Sequence, residues 1–172
     1  NIAYEIFYKT GPLAILPASN KKKSVYSSSI IWSNPLDYSN SLRQINKELL
    51  KMILEEKVSD HIGEIKNILN IQFFPLSAHL NKRFYEDRVV YVGDSAHSIH
   101  PIAGQGWNLG VRDIKNLFFA IKQNTNLGID VGDINICKEY NNKSFYDSYN
   151  MYQVTDKLNS LFINETNLFK IF

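Results

Sequence analysis

The sequence predicts an α+β fold. A mostly antiparallel sheet with covering helices is followed by one strand, loop and helix of the α/β kind, and then by C-terminal helices. The first third of the 172 residues contains short runs of β-branched and aromatic residues separated by turn residues. Farther along, a short apolar run stops at Gly93 and Asp94, before a glycine-rich loop and a helical pattern.

Three strands are predicted in the first third of the chain. They cover residues 2–8, 13–16 and 24–33, and a turn at Gly11 and Pro12 separates the first two. Because the connections are short, we expect an antiparallel meander.

Helices follow this meander in the prediction. Between residues 41 and 57 the apolar side chains recur at helical spacing, and a shorter helix is predicted for residues 63–69. These helices are expected to cover one face of the sheet. Residues 71–80 are predicted to form another strand, in which Pro75 indicates an edge position or a bulge.

The character of the chain changes at Arg88. Residues 89–92 are predicted to form a fully buried strand of the parallel kind. A helix is predicted from about residue 106 to residue 122, and helical sequence continues at 133–162 after a polar linker. The predicted apolar face of the first of these helices comprises Gly110, Ile114, Leu117, Phe118 and Ile121. The clearest apolar stripe of the second comprises Val154, Leu158, Leu161 and Phe162.

Composition narrows the class of protein. A hydrophobic content of 44% suffices for a sizeable core, and a formal net charge of +2 gives no general attraction to nucleic acid. The basic run at residues 21–23 is interpreted as a solvated hairpin tip. The single cysteine, Cys137, cannot form an intramolecular disulfide and is interpreted as a packing residue. No apolar run reaches the length of a membrane span.

The chemistry of the chain is expected in the loop that follows residue 92. Asp94 comes directly after the predicted strand, where open α/β sheets bind ligands, and its carboxylate can accept hydrogen bonds from sugar-like hydroxyls. Glycines at 104, 106 and 110 let the backbone approach a flat ligand closely. The helix start near Gly106 offers free amides and a positive dipole end to a group that develops negative charge. A hydroxylated linker joined to an electron-accepting ring describes a flavin.

The string from Gly93 to Asp113 resembles the second FAD-binding motif of the para-hydroxybenzoate-hydroxylase class of flavin monooxygenases. It is most similar to the ubiquinone-biosynthesis branch of that class, which hydroxylates polyprenyl phenols. The residues that carry the resemblance are His100, Pro101, Ile102, Ala103, Gly104, Gln105, Gly106, Asn108, Leu109, Gly110, Arg112 and Asp113. Weaker similarity at residues 11–17, 29–33, 74–76 and 155–162 extends it over most of the chain.

This resemblance implies FAD as the cofactor. Asp94 would hold the ribityl hydroxyls, and the amides of Trp107 and Asn108 would face the pyrimidine carbonyl of the flavin. Pro101 would lie beside the reactive edge of the ring. The implied cofactor-binding residues are Gly93, Asp94, Pro101, Gly104, Gln105, Gly106, Trp107 and Asn108. The flavin carries the chemistry in this family, so no side chain is named as a catalytic acid or base.

Two departures from the family pattern matter. Trp107 stands where the branch usually has a smaller apolar residue. The family's first strand, with its Gly-x-Gly-x-x-Gly turn for the pyrophosphate, has no counterpart in the sequence, and Asn1 leads directly into a predicted strand. We therefore expect the C-terminal part of a longer protein, with half of a cofactor site.

The resemblance also implies domains and partners. Residues 1–87 would belong to the substrate domain, 88–125 to the C-terminal portion of a Rossmann-like FAD-binding domain, and 126–172 to a C-terminal helical region. The implied partners are a polyprenyl phenol, dioxygen, a reduced nicotinamide or other electron donor, and other ubiquinone-biosynthesis proteins. A cytoplasmic location is expected, with peripheral contact to the inner membrane left open.

Other interpretations compete with the flavin site. His97 and His100 could share a metal ion, but no cysteine or carboxylate pair accompanies them, and they are better interpreted as polar groups that cap the loop backbone. Gly93, Asp94 and Ser95 could mark a serine hydrolase, but no histidine follows His100 to act as its base. A different class of function is a non-catalytic remnant or accessory subunit of the same fold, which binds partner enzymes or prenyl lipid.

Overall fold

The computed structural model of the protein describes residues 2–18 and 26–163. The chain divides into two compact units, one reaching from its N-terminal end to Pro75 and the other from Leu76 to Leu161. Helices and antiparallel sheets occur together, which confirms the α+β class. The division into substrate, FAD-binding and C-terminal parts, with boundaries at residues 87 and 125, stays a prediction.

The first unit contains a three-stranded sheet. Its strands are β1 (Tyr4–Tyr8), β2 (Gly11–Ala18) and β3 (Ser27–Trp32), and they pair antiparallel in that order. The predicted meander is therefore confirmed. The lysine run predicted at the tip of the second hairpin lies outside the described residues.

The prediction of a turn at Gly11 and Pro12 is wrong. Gly11 pairs with Tyr8 and begins β2. A Cβ atom on Gly11 would lie 2.3 Å from the carbonyl oxygen of Ser33. The glycine is required because another segment of backbone approaches it closely, which is a common reason for a glycine within a strand.

The single helix predicted for residues 41–57 is two helices, α1 (Leu36–Gln44) and α2 (Lys47–Ile62). The break occurs because Asn46 caps α2: its side-chain oxygen accepts a 2.8 Å hydrogen bond from the amide of Leu49. Val58 of α2 packs in a buried cluster with Leu13 and Ile15 of β2. The helix thus covers one face of the sheet, as predicted.

The segment after α2 contains neither the helix predicted at 63–69 nor most of the strand predicted at 71–80. Gly63 ends α2 with φ 75°, and its amide donates to the carbonyl of Ser59, which is a common helix C-terminus. Residues 63–78 form no helix or strand. Only the last two residues of the predicted strand, His79–Leu80, pair as β4.

The second unit is built from short strands and two long helices. After β4 come β5 (Tyr85–Glu86), β6 (Val89–Val90), β7 (His97–Ser98), α3 (Gln105–Thr125) and α4 (Ile134–Ile163). β4 pairs antiparallel with β7, and β5 pairs antiparallel with β6.

The parallel, fully buried strand predicted at 89–92 is not what the structure shows. Val90 pairs antiparallel with Tyr85, and the side chain of Val89 is 46% exposed. The physical reason is a tight turn at Asp87 and Arg88, in which Arg88 adopts φ 57° and folds the chain back on its preceding segment.

The core of the second unit comprises Phe84, Ala96, Ala120, Ile136 and Tyr140. Part of the predicted α3 face is confirmed, since Leu117 and Ile121 pack against this core. Ile114 and Phe118 are more than half exposed, however, and the fully buried residues of α3 are Leu109, Asp113 and Ala120. The buried face of α3 therefore differs from the predicted one. Because it includes the polar residue Asp113, the spacing of apolar residues alone does not mark it.

Helix α4 confirms the helical prediction for residues 133–162. Cys137 is buried, as expected of a packing residue, and burial raises the pKa of its thiol. In the predicted apolar stripe of this helix, Val154 is exposed and the side chain of Phe162 lies outside the described part. Among the helices of the described residues, none is long and apolar enough to cross a membrane.

Candidate functional site

An open pocket of about 290 Å³ lies where the turn after β6 faces the start of α3. Its lining includes Gly93, Asp94, Gly106, Trp107, Gly110 and Ile114. The structure therefore brings together four of the eight residues predicted to bind the cofactor: Gly93, Asp94, Gly106 and Trp107. The others, Pro101, Gly104, Gln105 and Asn108, lie in the connection to α3 and in its first turn, next to the pocket but outside its lining.

The turn from Val92 to Ala96 closes on itself through short hydrogen bonds. The hydroxyl of Ser95 accepts from the amide of Val92 at 2.9 Å and donates to the carbonyl of Val92 at 2.8 Å. The amide of Ala96 donates to the carbonyl of Gly93. A serine nucleophile needs a base on its hydroxyl, whereas in the described residues Ser95 binds backbone, so this geometry gives the hydrolase interpretation no support.

Asp94 stands on the outer side of this turn. Its side chain is exposed and faces the pocket, directly after Gly93, which adopts φ 58°. Within the part of the chain that the structure describes, its carboxylate makes no hydrogen bond or ion pair. It is therefore a free acceptor at the mouth of the pocket.

Helix α3 begins at Gln105, and its N-cap is Gly104 with φ 58°. No side chain caps this end of the helix. In α-helix geometry the amides of Gly106 and Trp107 then have no carbonyl four residues earlier within the helix, whereas the amide of Asn108 can pair with the carbonyl of Gly104. The first turn of α3 thus presents backbone donors at one wall of the pocket.

Two glycines on α3 differ in what surrounds them. A Cβ atom on Gly110 would lie 3.7 Å from the Cα of Gly93, so Gly110 packs against the turn that carries Asp94. A Cβ atom on Gly106 would have nothing within 4 Å, and Gly106 is helical. Neither backbone conformation nor packing within the described chain requires this glycine. A flat ligand that rests against the backbone, such as a flavin ring, would account for a glycine at this position.

The site includes a buried pair that sequence reasoning missed. The Nε2 atom of His97, on β7, lies 2.7 Å from Oδ2 of Asp113 on α3, and each residue is about 1% exposed. The same oxygen accepts a 3.0 Å hydrogen bond from the amide of Gly93. His97 was interpreted as a cap for loop backbone, and the structure instead gives it a carboxylate partner. The available signal was Asp113 itself, four residues after Leu109 on the buried face.

The histidines do not form a metal centre in the described residues. No three histidine, cysteine, aspartate or glutamate side chains come close enough there to hold a metal ion. The ring of His97 is engaged by Asp113 and packs beside the ring of Phe84, with centroids 5.5 Å apart.

Comparison with known families gives a match to the FAD binding domain over residues 2–126. The chain is 32% identical to the ubiquinone hydroxylase UbiL of Rhodospirillum rubrum over 95% of its own length and 37% of that relative. It is 28% identical to UbiM of Neisseria meningitidis, with 95% and 34% covered, and 28% identical to the mitochondrial ubiquinone biosynthesis monooxygenase COQ6 of Dictyostelium discoideum, with 95% and 38% covered. The chain thus spans little more than a third of these relatives.

A solved structure has the same fold. PqsL from Pseudomonas aeruginosa, a probable FAD-dependent monooxygenase, superposes with a TM-score of 0.76 at 17% identity, over 98% of this chain and 46% of that one. The similarity extends across both compact units.

Proposed function

Because the chain belongs to the FAD binding domain family, we propose that it forms part of an FAD-dependent aromatic-ring monooxygenase. The observation that supports this most directly is the pocket beside α3. It combines a free carboxylate at Asp94, an uncapped helix start, and the open space next to Gly106. Hydroxyl groups, a ring that gains negative charge and a flat surface are the three features that these elements would recognise, and FAD has all three.

Each part of the pocket would then hold a different part of the cofactor. The carboxylate of Asp94 accepts from the ribityl hydroxyls, because a carboxylate has only acceptor sites. The first-turn amides of α3, with the positive end of the helix dipole, stabilise negative charge on the flavin. Gly106 leaves room for the ring. When bound, FAD supplies the activation of dioxygen, and the chain supplies orientation and charge stabilisation.

The share of the relatives that the chain covers supports a further part of the proposal. It corresponds to 34–38% of the three relatives named above. We propose that it acts as the C-terminal part of such an enzyme, together with a dinucleotide-binding half. In this arrangement residues 88–125 complete the FAD site and residues 1–87 contribute to the substrate side.

The proposed substrate is a polyprenyl phenol in ubiquinone biosynthesis. The names of the relatives support this class, since they are ubiquinone hydroxylases and ubiquinone biosynthesis monooxygenases. Dioxygen and a reduced nicotinamide or another electron donor complete the reaction. One oxygen atom of dioxygen is added to a ring carbon as a hydroxyl group, and an electron pair from the donor reduces the other oxygen atom to water. Peripheral contact with a membrane and assembly with other ubiquinone-biosynthesis proteins fit a substrate with a long apolar tail.

The test is hydroxylation by the purified protein that contains both halves. A short-chain prenyl phenol, FAD, an electron donor and isotope-labelled dioxygen are supplied, and the product is analysed by mass spectrometry. The proposal predicts one labelled oxygen atom in the ring, and no product without oxygen. A protein that binds FAD and the phenol but never forms the hydroxylated product would instead be the non-catalytic accessory subunit of the same fold.

A further inference from the structure

Asp113 is a buried carboxylate that makes no direct contact with FAD in the proposed site. It is about 1% exposed, it lies on the face of α3 turned away from solvent, and its Oδ2 atom accepts from both Gly93 and His97. A buried polar pair is weak support for stability, because well-packed apolar residues in its place often stabilise a fold equally well. The role of this aspartate therefore depends on what it holds in place.

What it holds is the turn that carries Asp94. Gly93 adopts the left-handed conformation, and Asp94 is the next residue in the chain. The hydrogen bonds of Ser95 and Ala96 close the turn internally and do not connect it to α3. The contacts that fix it against α3 are the close packing of Gly110 on Gly93 and the hydrogen bond from the Gly93 amide to Asp113.

These contacts bear on the distance between Asp94 and the first-turn amides of α3. Gly110 and Asp113 are three residues apart and face the same side of α3. The first turn of the same helix supplies the amides of Gly106 and Trp107 at the pocket wall. Asn81 holds the other end of the turn, since its side chain donates to the carbonyl of Ser95 and its amide to the carbonyl of Ala96, each at 2.9 Å. Asp113 holds the Gly93 end against α3, next to Asp94, whose exposed carboxylate is not restrained by another described side chain.

His97 completes the arrangement from the opposite side. The Nε2 atom of His97 lies 2.7 Å from the Oδ2 atom of Asp113, within hydrogen-bond distance. His97 lies on β7, which pairs with β4, so the imidazole ties Asp113 to a second element of the unit. The ring of Phe84 packs beside the imidazole. The carboxylate therefore has a fixed direction in the protein without FAD.

We propose that Asp113, oriented by His97, is a positioning residue that fixes the Asp94 turn against the first turn of α3, so that both bind one flavin cofactor at the same time. This inference rests on the proposed FAD site. It assigns to Asp113 no contact with the cofactor.

The test combines two measurements on Asp113→Leu, which removes every acceptor, and Asp113→Asn, which retains one. The first is hydrogen exchange of the Gly93 amide in the protein without FAD. Loss of the acceptor is expected to speed exchange by about ten-fold or more in Asp113→Leu and by less in Asp113→Asn. Asp147→Asn is the matched control. Asp147 lies on α4 and forms a 2.7 Å ion pair with Arg112 of α3, the residue before Asp113, and it does not contact the turn. It should leave the Gly93 amide unchanged.

The second measurement is the FAD dissociation constant in the protein with both halves, for each variant with Asp94 present and with Asp94→Ala. If Asp113 acts through Asp94, Asp113→Leu weakens FAD binding by roughly ten-fold or more with Asp94 present and by less than about three-fold without it. Asp113→Asn is expected to restore most of the affinity. If Asp113→Leu does not fold, Asp113→Ala, which also lacks a side-chain acceptor, supplies the same comparison with and without Asp94.

The outcomes separate the two proposals. The positioning role is overturned if Asp113→Leu changes FAD affinity equally with and without Asp94. It is also overturned if the Gly93 amide of Asp113→Leu exchanges at the wild-type rate. Either result leaves the FAD site intact. A wild-type protein with both halves that binds no FAD overturns the proposed function, and the positioning role with it.

Discussion

The Nε2 atom of His97 lies 2.7 Å from the Oδ2 atom of Asp113, and this oxygen also accepts the amide hydrogen of Gly93. One buried carboxylate thus joins a strand, a helix and the turn that carries Asp94. The arrangement separates two kinds of residue in the site. Asp94, Gly106 and Trp107 face the pocket, whereas His97 and Asp113 lie behind it and hold its wall.

Gly106→Ala should separate folding from FAD binding. The added methyl group meets no atom within 4 Å, and alanine is the better helix former, so the free energy of unfolding should stay the same or rise by about 0.5 to 1 kcal/mol. If the flavin rests against this backbone, FAD affinity should fall by about five- to one hundred and fifty-fold, since overpacking a close contact costs about 1–3 kcal/mol.

Gln123→Ala is the control for this substitution, because Gln123 is an exposed residue near the other end of α3. It should leave FAD binding unchanged. Wild-type FAD affinity in Gly106→Ala would mean that the flavin does not approach Gly106.

The backbone amide of Trp107 can be tested through the potential of the bound flavin. Proline at this position removes the amide, and the first turn of a helix tolerates its absence. Gly106 has no Cβ atom, so part of the usual clash before a proline is absent. Loss of one charge-assisted hydrogen bond, about 1.5 to 3 kcal/mol, should lower the two-electron reduction potential by about 30 to 65 mV.

Trp107→Ala is the reference for Trp107→Pro, because both lose the indole and only one loses the amide. Their difference in potential isolates the hydrogen bond. Equal potentials with FAD bound in both variants would remove the Trp107 amide from the site.

The position of the pocket could be predicted from sequence because its parts are local. Gly93 and Asp94 follow an apolar run, and glycines stand at the helix start and one turn later, so residue types alone placed the turn against α3. The antiparallel meander was predictable for the same reason, since short connections leave neighbouring strands few other ways to pair.

The errors arose where one residue or a distant partner decides the structure. Arg88 adopts a conformation usually taken by glycine or asparagine, and this converts a predicted parallel strand into a hairpin. Asn46 interrupts an otherwise continuous apolar stripe with a helix cap. The His97–Asp113 pair joins residues 16 positions apart on different elements, and no local pattern connects them.

Cys137 should make the stability of the fold depend on pH in the alkaline range. Burial raises the pKa of its thiol, so the folded protein keeps this proton at a pH where the unfolded chain, with a thiol pKa near 8.5, releases it. The unfolded state then binds fewer protons, and the free energy of unfolding decreases as the pH rises through about 8.5.

Urea unfolding of the wild type and of Cys137→Ala between about pH 7 and pH 10 measures this effect. The wild type should lose more of its free energy of unfolding than the variant over this range. Burial also raises the pKa of Tyr140, but that group is the same in both proteins. Parallel pH profiles would show that the Cys137 thiol ionises equally in both states.

The chain by itself should not retain FAD. The pocket is open and provides one carboxylate and one helix start, and the sequence contains no Gly-x-Gly-x-x-Gly turn to bind the pyrophosphate of FAD. Gel filtration after mixing with FAD should yield colourless protein. Stoichiometric yellow protein would show that these residues hold the cofactor without a second half.

The most direct test of the FAD site is the FAD dissociation constant of Asp94→Ala in the protein with both halves. Loss of a charge-assisted acceptor, about 1.5 to 3 kcal/mol, should weaken binding by about one to two powers of ten, and Asp94→Asn should cost less because it keeps an acceptor oxygen. Ser95→Ala should cost less than Asp94→Ala. Asp87→Ala, the same change in the exposed turn between β5 and β6, should have no effect. If Asp94→Ala binds FAD like the wild type, while Ser95→Ala abolishes activity with flavin still bound, then the pocket beside α3 is not where the ribityl chain binds.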